Sequence, residues 1–180
     1  MNTVGLLALL GKLARPDGRS DTIEPFKWST LNNLQLGRYA EYLVKMEFTK
    51  LGFSVFSPEV DDRGIDLVIR TPRGQYCEVQ VKSSRSSKSG SGFNYQYWPK
   101  GEDKLQIGEQ SYIALVLFKD GDEPHLYLIP TTVWKAPTTL FVDHEYPGLK
   151  SSPEYGINLS EKNLSLLREF VFSEMASLLT

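Results

Sequence analysis

The sequence predicts an α/β domain with a central mixed β-sheet flanked by α-helices. Two patterns support this prediction: a long amphipathic helix precedes several short strands, and a second amphipathic segment closes the chain. The 180 residues can bury a substantial core, and 41% of them are hydrophobic and 23% charged, as in ordinary globular proteins. We therefore expect one domain over residues 1–180, with a core at about 31–135 on which an N-terminal and a C-terminal helix pack.

Charge and cysteine content indicate which partners and which cellular location to expect. The formal net charge of −2 gives no overall sign of nucleic-acid binding. Residues 70–104 nevertheless carry seven basic and three acidic side chains, a local charge of +4, which suits either a phosphate-facing surface or a solvated loop. The single cysteine, Cys77, allows no internal disulfide, so we expect a cytoplasmic location. No apolar run is long enough to span a membrane, and no membrane partner is expected.

The chain opens with two predicted helices joined by a connector. The short apolar run "VGLLALLGKLA" is expected to form a helix that packs on the body. Residues 15–30 hold two prolines and several turn formers, which predict the connector. The second helix should run from about Thr30 to Lys50 and end at Gly52. Its apolar residues share one broad face: Leu36, Tyr39, Ala40, Leu43, Val44, Met46 and Leu51.

Strands and turns follow this helix. "FSVFS" and "IDLVIR" predict strands separated by the loop "PEVDDRG", and "YCEVQVKS" predicts a strand that forms a hairpin with "IDLVIR" across the turn "TPRGQ". The serine- and glycine-rich residues 83–92 predict a mobile basic loop before the aromatic run "FNYQYW". "YIALVLF" and "HLYLIP" predict a further hairpin around "KDGDEP".

The last part of the chain predicts a loop region and a helix. Residues 136–158 are rich in turn formers and are expected to be irregular. Ser160 should cap a closing helix. The residues expected on its core face are Leu164, Leu167, Phe170, Val171, Met175 and Leu178.

The hairpin gathers polar side chains on one face of the sheet. With residues 72–74 as its loop, Leu67 lies opposite Val79 and Asp66 lies opposite Gln80. Apolar residues then alternate on the core face, while Asp66, Gln80 and Lys82 belong to the other face. Cβ atoms directly across an antiparallel pair lie about 4.5–5.5 Å apart, so Asp66 and Gln80 can share one cation. The alternative is an ordinary edge strand whose polar face is wet.

These side chains suit the hydrolysis of a phosphodiester. A hard cation such as Mg²⁺ takes oxygen ligands, which the Asp66 carboxylate and the Gln80 amide can supply. Such a metal lowers the pKa of bound water. An ammonium group beside it, such as that of Lys82, can orient the water and stabilise the charge that grows on the phosphate.

The site needs a second carboxylate because Gln80 is uncharged. Glu41 is the best candidate, since it lies at the rim of the helix's apolar face, one turn after Gly37, where a missing side chain would allow close approach. Glu47 is the alternative. Glu78 shares the face of Gln80 but lies about 6.6 Å away along the strand, which suggests an indirect role.

Three stretches resemble the PD-(D/E)XK nuclease superfamily, which has a restriction-endonuclease-like core: "GRYAEYLVKMEFTKLGFSVF", "DRGIDLVI" and "EVQVKSS". Within that superfamily the pattern is most similar to Holliday-junction resolvases and group-I-intron homing endonucleases, and to bacterial families that carry "QVK" in place of "ExK". The resemblance covers about residues 34–84.

The resemblance implies a catalytic set of Glu41, Asp66, Gln80 and Lys82. Glu41, Asp66 and Gln80 would be the metal ligands and Lys82 the catalytic lysine, with Mg²⁺ or Mn²⁺ as cofactor, DNA as substrate and a homodimer as a common assembly. Two departures stand out. Ile65 replaces the proline of the motif, and Gln80 replaces an acid, which lowers the expected metal affinity.

Further residues are candidates for nucleic-acid contacts. The basic candidates for phosphate binding are Arg85, Lys88, Lys100 and Lys104. Tyr95, Tyr97 and Trp98 could stack on exposed bases, although such a run more often packs as a strand.

Three functions follow from these patterns. The leading hypothesis is a metal-dependent DNA endonuclease. The second is a nucleic-acid-binding module on a catalytically degenerate nuclease core, because Gln80 is uncharged. The third is an interaction subunit that uses the aromatic segment as its contact surface.

Overall fold

The computed structural model describes residues 25–60, 64–86, 92–101 and 105–180. The helix predicted near the N-terminus lies outside these residues, as do parts of the "PEVDDRG" loop and of the serine-rich segment. Within the described residues, no helix is long and apolar enough to cross a membrane.

The first described helix, α1, spans Asn33–Lys50. It starts about three residues later than predicted, because a 3-10 turn occupies Trp28–Thr30. Asn32 and Gln35 form a reciprocal capping box in which each side chain accepts the other's backbone N–H at 2.9 Å. The helix ends at Leu51, followed by Gly52 with a φ of +85°.

The buried stripe of α1 is narrower than predicted. Its buried residues follow a spacing of four: Leu36, Ala40, Val44 and Phe48. Met46 was predicted on this face, but it is 59% exposed. Phe48 takes the end of the stripe, where its ring meets those of Phe53 and Phe172 at centroid distances of 5.2 and 4.7 Å.

A mixed sheet of five strands forms the centre of the described part of the chain. The strands are Ser54–Phe56 (β1), Leu67–Arg70 (β2), Tyr76–Arg85 (β3), Ser111–Phe118 (β5) and His125–Pro130 (β6). They lie in the order β1-β2-β3-β5-β6, in which β3 and β5 are parallel and the other neighbours are antiparallel. The predicted strands and hairpins are confirmed.

The serine-rich segment begins later than the sequence suggested. β3 continues through Arg85, and its residues Ser83 and Ser84 pair with Val116 and Leu117 of β5. Serine has little strand preference of its own, but the hydrophobic partner strand supplies the pairing that holds these residues. Residues 87–91 lie outside the described chain.

A second sheet, with the order β4-β8-β7, covers one face of the first. Its strands are Gln96–Pro99 (β4), Phe141–His144 (β7) and Glu154–Ile157 (β8). The prediction that residues 136–158 are irregular was therefore wrong. Strands of four residues between turn-rich loops give too short an alternation to stand out in a sequence.

The closing segment is not one helix. It consists of α2 (Glu161–Leu164), a 3-10 helix (Ser165–Phe170) and α3 (Phe172–Ser177). Val171 is extended, with φ −54° and ψ 129°, because it forms a β-bridge with Tyr127 of β6. Ser160 makes no side-chain capping bond, and Leu178 is 69% exposed, so both of these expectations were wrong.

The central sheet has two differently covered faces. α1 and α3 pack on one face, against the odd-numbered residues of β3 such as Cys77 and Val79. The second sheet and the 3-10 helix cover the other face, to which Ile113 and Leu115 of β5 belong. Because Gln80 and Lys82 pair with these two residues, they lie on the second-sheet face.

We expect Asn32→Ala to lower the free energy of unfolding by about 1 kcal/mol, because the first turn of α1 loses its cap. For a chain of this size, that corresponds to a melting temperature lower by roughly 2–4 °C. Asn33→Ala is the matched control, since the Asn33 side chain forms no hydrogen bond with the described residues. Equal melting temperatures for the two variants in a thermal scan would contradict this assignment of the cap.

Candidate functional site

The predicted register of the hairpin is confirmed. Leu67 lies opposite Val79, and Arg70 lies opposite Tyr76, which leaves residues 72–74 as the tip of the turn. Gln80 and Lys82 therefore share one face of β3, as the alternation predicted. This face looks toward β4, so the polar row borders a cleft between two sheets rather than an open strand surface.

Asp66 occupies the point where β2 separates from β3. Its N–H donates to the carbonyl of Val79 at 3.1 Å, one residue out of step with the strand pairing. Its Oδ2 accepts the N–H of Val81 at 2.6 Å. The Asp66 carboxylate thus accepts the Val81 N–H, which a backbone carbonyl would accept if β2 extended further toward its N-terminal end.

The backbone of β3 explains why Val81 meets this carboxylate. The N–H of Glu78 donates to Gln110 at 2.8 Å, on the β5 side. Backbone groups alternate along a strand, so the N–H and C=O of Val81 point to the β2 side. Since β2 begins only at Leu67, the carbonyl of Val81 lies beside Asp66 at the open edge of β3.

Gln80 is fixed by two neighbours. Its Oε1 accepts the indole N–H of Trp98 at 2.5 Å. On its other side, a Cβ added to Gly64 would lie 2.6 Å from the Gln80 Nε2, and Gly64 has a φ of +69°. The close approach and the backbone conformation both favour glycine at this position. The Gln80 amide oxygen keeps a second lone pair beyond the indole bond.

Lys82 lies next along the same face. Its Nζ is 5.6 Å from the centroid of the Trp98 ring, and the residue is half-buried. No carboxylate of the described residues forms an ion pair with it. Its charge is therefore held by a cation–π contact and remains available to an anion.

Trp98 is the site residue whose role sequence reasoning missed. It is only 4% exposed, so it cannot stack on a nucleic-acid base as one alternative suggested. Its ring packs edge-on against Trp134 at 5.6 Å, while its N–H and its face hold Gln80 and Lys82. The strand alternation of "FNYQYW" indicates that Trp98 is buried, but no local sequence pattern identifies Gln80 and Lys82 as the residues that it contacts.

Glu41 does not join the polar row directly. Its carboxylate pairs with Arg38 at 2.6 Å, and α1 packs on the opposite face of the sheet from Gln80 and Lys82. The close approach expected at Gly37 is not present, since a Cβ there would meet no heavy atom of the described residues within 4 Å. Glu47 pairs with Lys50 at 2.6 Å. A metal-binding role for Glu41 stays a prediction.

The basic candidates differ in their surroundings. Nη1 of Arg85 donates to the carbonyls of Trp28 and Leu31 at 3.0 and 2.8 Å. The ammonium of Lys100 contacts Asp143 and Glu145. Burial by itself lowers the pKa of Lys100, but the two carboxylates outweigh it, and the pKa is raised. Lys88 and Lys104 lie outside the described residues, and phosphate binding by all four stays a prediction.

The donor set fits a hard cation in its chemistry. Asp66, Gln80 and the Val81 carbonyl offer three kinds of oxygen at one edge of β3, and Mg²⁺ and Mn²⁺ favour oxygen ligands. This donor set carries little negative charge, because it contains one carboxylate, that of Asp66. Among the described residues, no group of three or more His, Cys, Asp or Glu side chains is placed to hold a metal ion.

The chain is similar in structure to two solved proteins at low sequence identity. The bacterial homing endonuclease I-Ssp6803I superposes with a TM-score of 0.51 at 18% identity, over 82% of this chain and 94% of its own. The Holliday junction resolvase Hjc of Archaeoglobus fulgidus gives 0.47 at 15% identity, over 78% and 95%. No protein-family model and no curated protein matches the sequence. The expected α/β fold with a restriction-endonuclease-like core is confirmed.

We expect a double-mutant cycle of Trp98→Phe and Gln80→Met to give a coupling free energy of about 1 kcal/mol, because the two residues share a partly buried hydrogen bond. Chemical denaturation of the four proteins measures it. The matched control is Trp28→Phe with Gln80→Met, since Trp28 packs on the other face and donates its N–H to Asp122. A coupling no larger than that of the control cycle would contradict the assignment.

Proposed function

We propose that the protein is a metal-dependent DNA endonuclease of the PD-(D/E)XK type. The observation that carries the proposal is that the Asp66 carboxylate accepts the Val81 N–H at the open edge of β3, directly before the half-buried Lys82, which forms no ion pair with a carboxylate of the described residues. The fold shared with a homing endonuclease supports it. DNA as substrate, a cytoplasmic location and a homodimer that cuts two strands belong to the same proposal.

Asp66, Gln80 and the Val81 carbonyl would hold Mg²⁺ or Mn²⁺, with Glu41 contributing through water. Such an ion would supply Lewis-acid activation of water and neutralise charge on the phosphate. Asp66 is oriented for this role because its bond to the Val81 N–H fixes the carboxylate against the strand. Gln80 is fixed likewise by Trp98, so little reorganisation is needed.

Lys82 would act on the scissile phosphate. Its ammonium can donate to a phosphate oxygen and stabilise the negative charge that grows as water attacks in line. Contact with the Trp98 ring confines the ammonium to the cleft. The new O–P bond forms as the bond to the 3′ oxygen breaks, which leaves the 5′-phosphate and 3′-hydroxyl ends that the family resemblance implies.

A nucleic-acid-binding module without turnover is the second candidate. Two observations favour it: Gln80 is uncharged, and the Glu41 carboxylate pairs with Arg38 on a helix that packs on the other face of the sheet. One carboxylate binds a divalent cation more weakly than two. This candidate predicts DNA binding that is unchanged by chelation of divalent ions, with no cleavage in any metal.

We expect Asp66→Asn and Lys82→Ala each to lower the rate of DNA cleavage by about 100-fold or more. Asparagine keeps an oxygen that can accept the Val81 N–H but loses the anionic charge, so the fold should persist. The assay incubates supercoiled, branched and single-stranded DNA with protein and Mg²⁺ or Mn²⁺, and excess EDTA should abolish cleavage. Lys150→Ala removes an exposed lysine as the matched control. Cleavage at the parent rate by both site variants would rule out this site.

We expect Gln80→Glu to tighten Mn²⁺ binding and to keep or raise the cleavage rate, because it adds an anionic oxygen where the amide oxygen lies. The new carboxylate can still accept the Trp98 N–H. Calorimetric titration with Mn²⁺ measures the change. Gln75→Glu, at the far end of the hairpin, adds the same charge outside the site and should leave the affinity unchanged. Equal effects of the two substitutions would contradict a ligand role for position 80.

A further inference from the structure

A polar pocket of about 450 Å³ lies at the end of β3, beyond Lys82. Its lining combines hydroxyl, amide and guanidinium groups, and none of the described residues that form it carries a carboxylate. The residues that form it are Asn33, Leu36, Ser83, Ser84, Arg85, Ser86, Asn94 and Gln96. A lining of neutral donors around one cationic group favours an anion.

Three polar side chains in the pocket have no hydrogen-bond partner among the described residues. The side chains of Ser83, Ser86 and Asn94 form no hydrogen bond with the described residues, although both serines are half-buried. Arg85 is held by two backbone carbonyls through Nη1 and has no ion-pair partner among the described residues. Its positive charge is therefore fixed in place. Among the described residues the Asp120 carboxyl lies within its electrostatic range without forming an ion pair, and the pKa of Asp120 is lowered by hydrogen bonds from Ser29 and also by the Arg85 charge.

The pocket lies farther along β3 and β4, the two strands that carry the proposed site. β4 and the residues before it run over the face of β3 in the opposite direction. Trp98 donates a hydrogen bond to Gln80, while the earlier residue Asn94 accepts one from the hydroxyl of the later residue Ser84 at 3.5 Å. Ser84 lies two residues beyond Lys82, which is about 6.6 Å along the strand. That spacing is comparable to the distance between neighbouring phosphates of one nucleic-acid strand.

We propose that this pocket binds the phosphate next to the scissile one on the same DNA strand. The assignment rests on the proposed function in one respect, because Lys82 marks the scissile position. Hydroxyl and amide side chains are common phosphate ligands, and they fix register without reading sequence. The pocket is thus a backbone subsite that sets which phosphate lies over Asp66 and Lys82.

The first test measures DNA binding without divalent metal. We expect the double variant Ser86→Ala, Asn94→Ala to bind a labelled oligonucleotide about three- to tenfold more weakly in fluorescence anisotropy, since each lost neutral hydrogen bond costs a modest factor. The slope of affinity against salt should stay unchanged, because no cation is removed. Ser151→Ala, Ser152→Ala, in an exposed loop, is the matched control. Equal affinity of the pocket variant and the control would overturn the proposal.

The second test locates the contact on DNA. Oligonucleotides that carry one neutral methylphosphonate at successive positions should show one position where the parent protein loses affinity and the pocket variant does not. If the protein cleaves DNA, that position should adjoin the cleaved bond. An identical position profile for both proteins overturns the pocket even if cleavage is robust. A changed profile without any cleavage overturns the endonuclease and leaves the phosphate subsite standing.

Discussion

The hydrogen bond from the Val81 N–H to the Asp66 carboxylate is the constraint on which the rest of the site depends. It ends the pairing of β2 with β3 and still satisfies the backbone donor that the missing pair would leave open. It also places an anionic oxygen beside the backbone of Val81, the residue between Gln80 and Lys82 in β3. A strand edge that would otherwise be a pairing surface becomes a polar site.

One face of β3 is buried in the core, and the other carries the polar residues of the candidate site. Its odd-numbered residues, such as Val79, are buried against α1 and fix the strand in the sheet. Of its even-numbered residues, Gln80 and Lys82 meet β4, where Trp98 binds Gln80 by a hydrogen bond and Lys82 by a cation–π contact. Trp98 in turn packs on Trp134, so the second sheet acts as the support of the site. The polar row is therefore oriented by a hydrophobic cluster rather than by ion pairs.

The central hairpin was predictable because strict alternation allows one register, in which Leu67 faces Val79 and the core stays apolar. α1 was predictable for a similar reason, since its period is local, but its start was predicted about three residues too early because the Asn32 cap was not recognised. β7 and β8 were not, because their pairing depends on residues far apart in sequence. The partnership of Gln80 with Trp98 is also nonlocal, and the placement of Glu41 depends on which face α1 covers, which periodicity cannot decide.

The claim at the centre of this account is that Asp66 and the Val81 carbonyl form a divalent-cation site. Paramagnetic broadening of backbone amide signals by substoichiometric Mn²⁺ tests it directly, without DNA and without turnover. We expect the amide signals of Asp66, Gln80 and Val81 to broaden first, and that of Val44, on the buried stripe of α1, to persist. Asp66→Asn should remove this pattern. Broadening centred elsewhere, or an unchanged pattern in Asp66→Asn, would contradict the account.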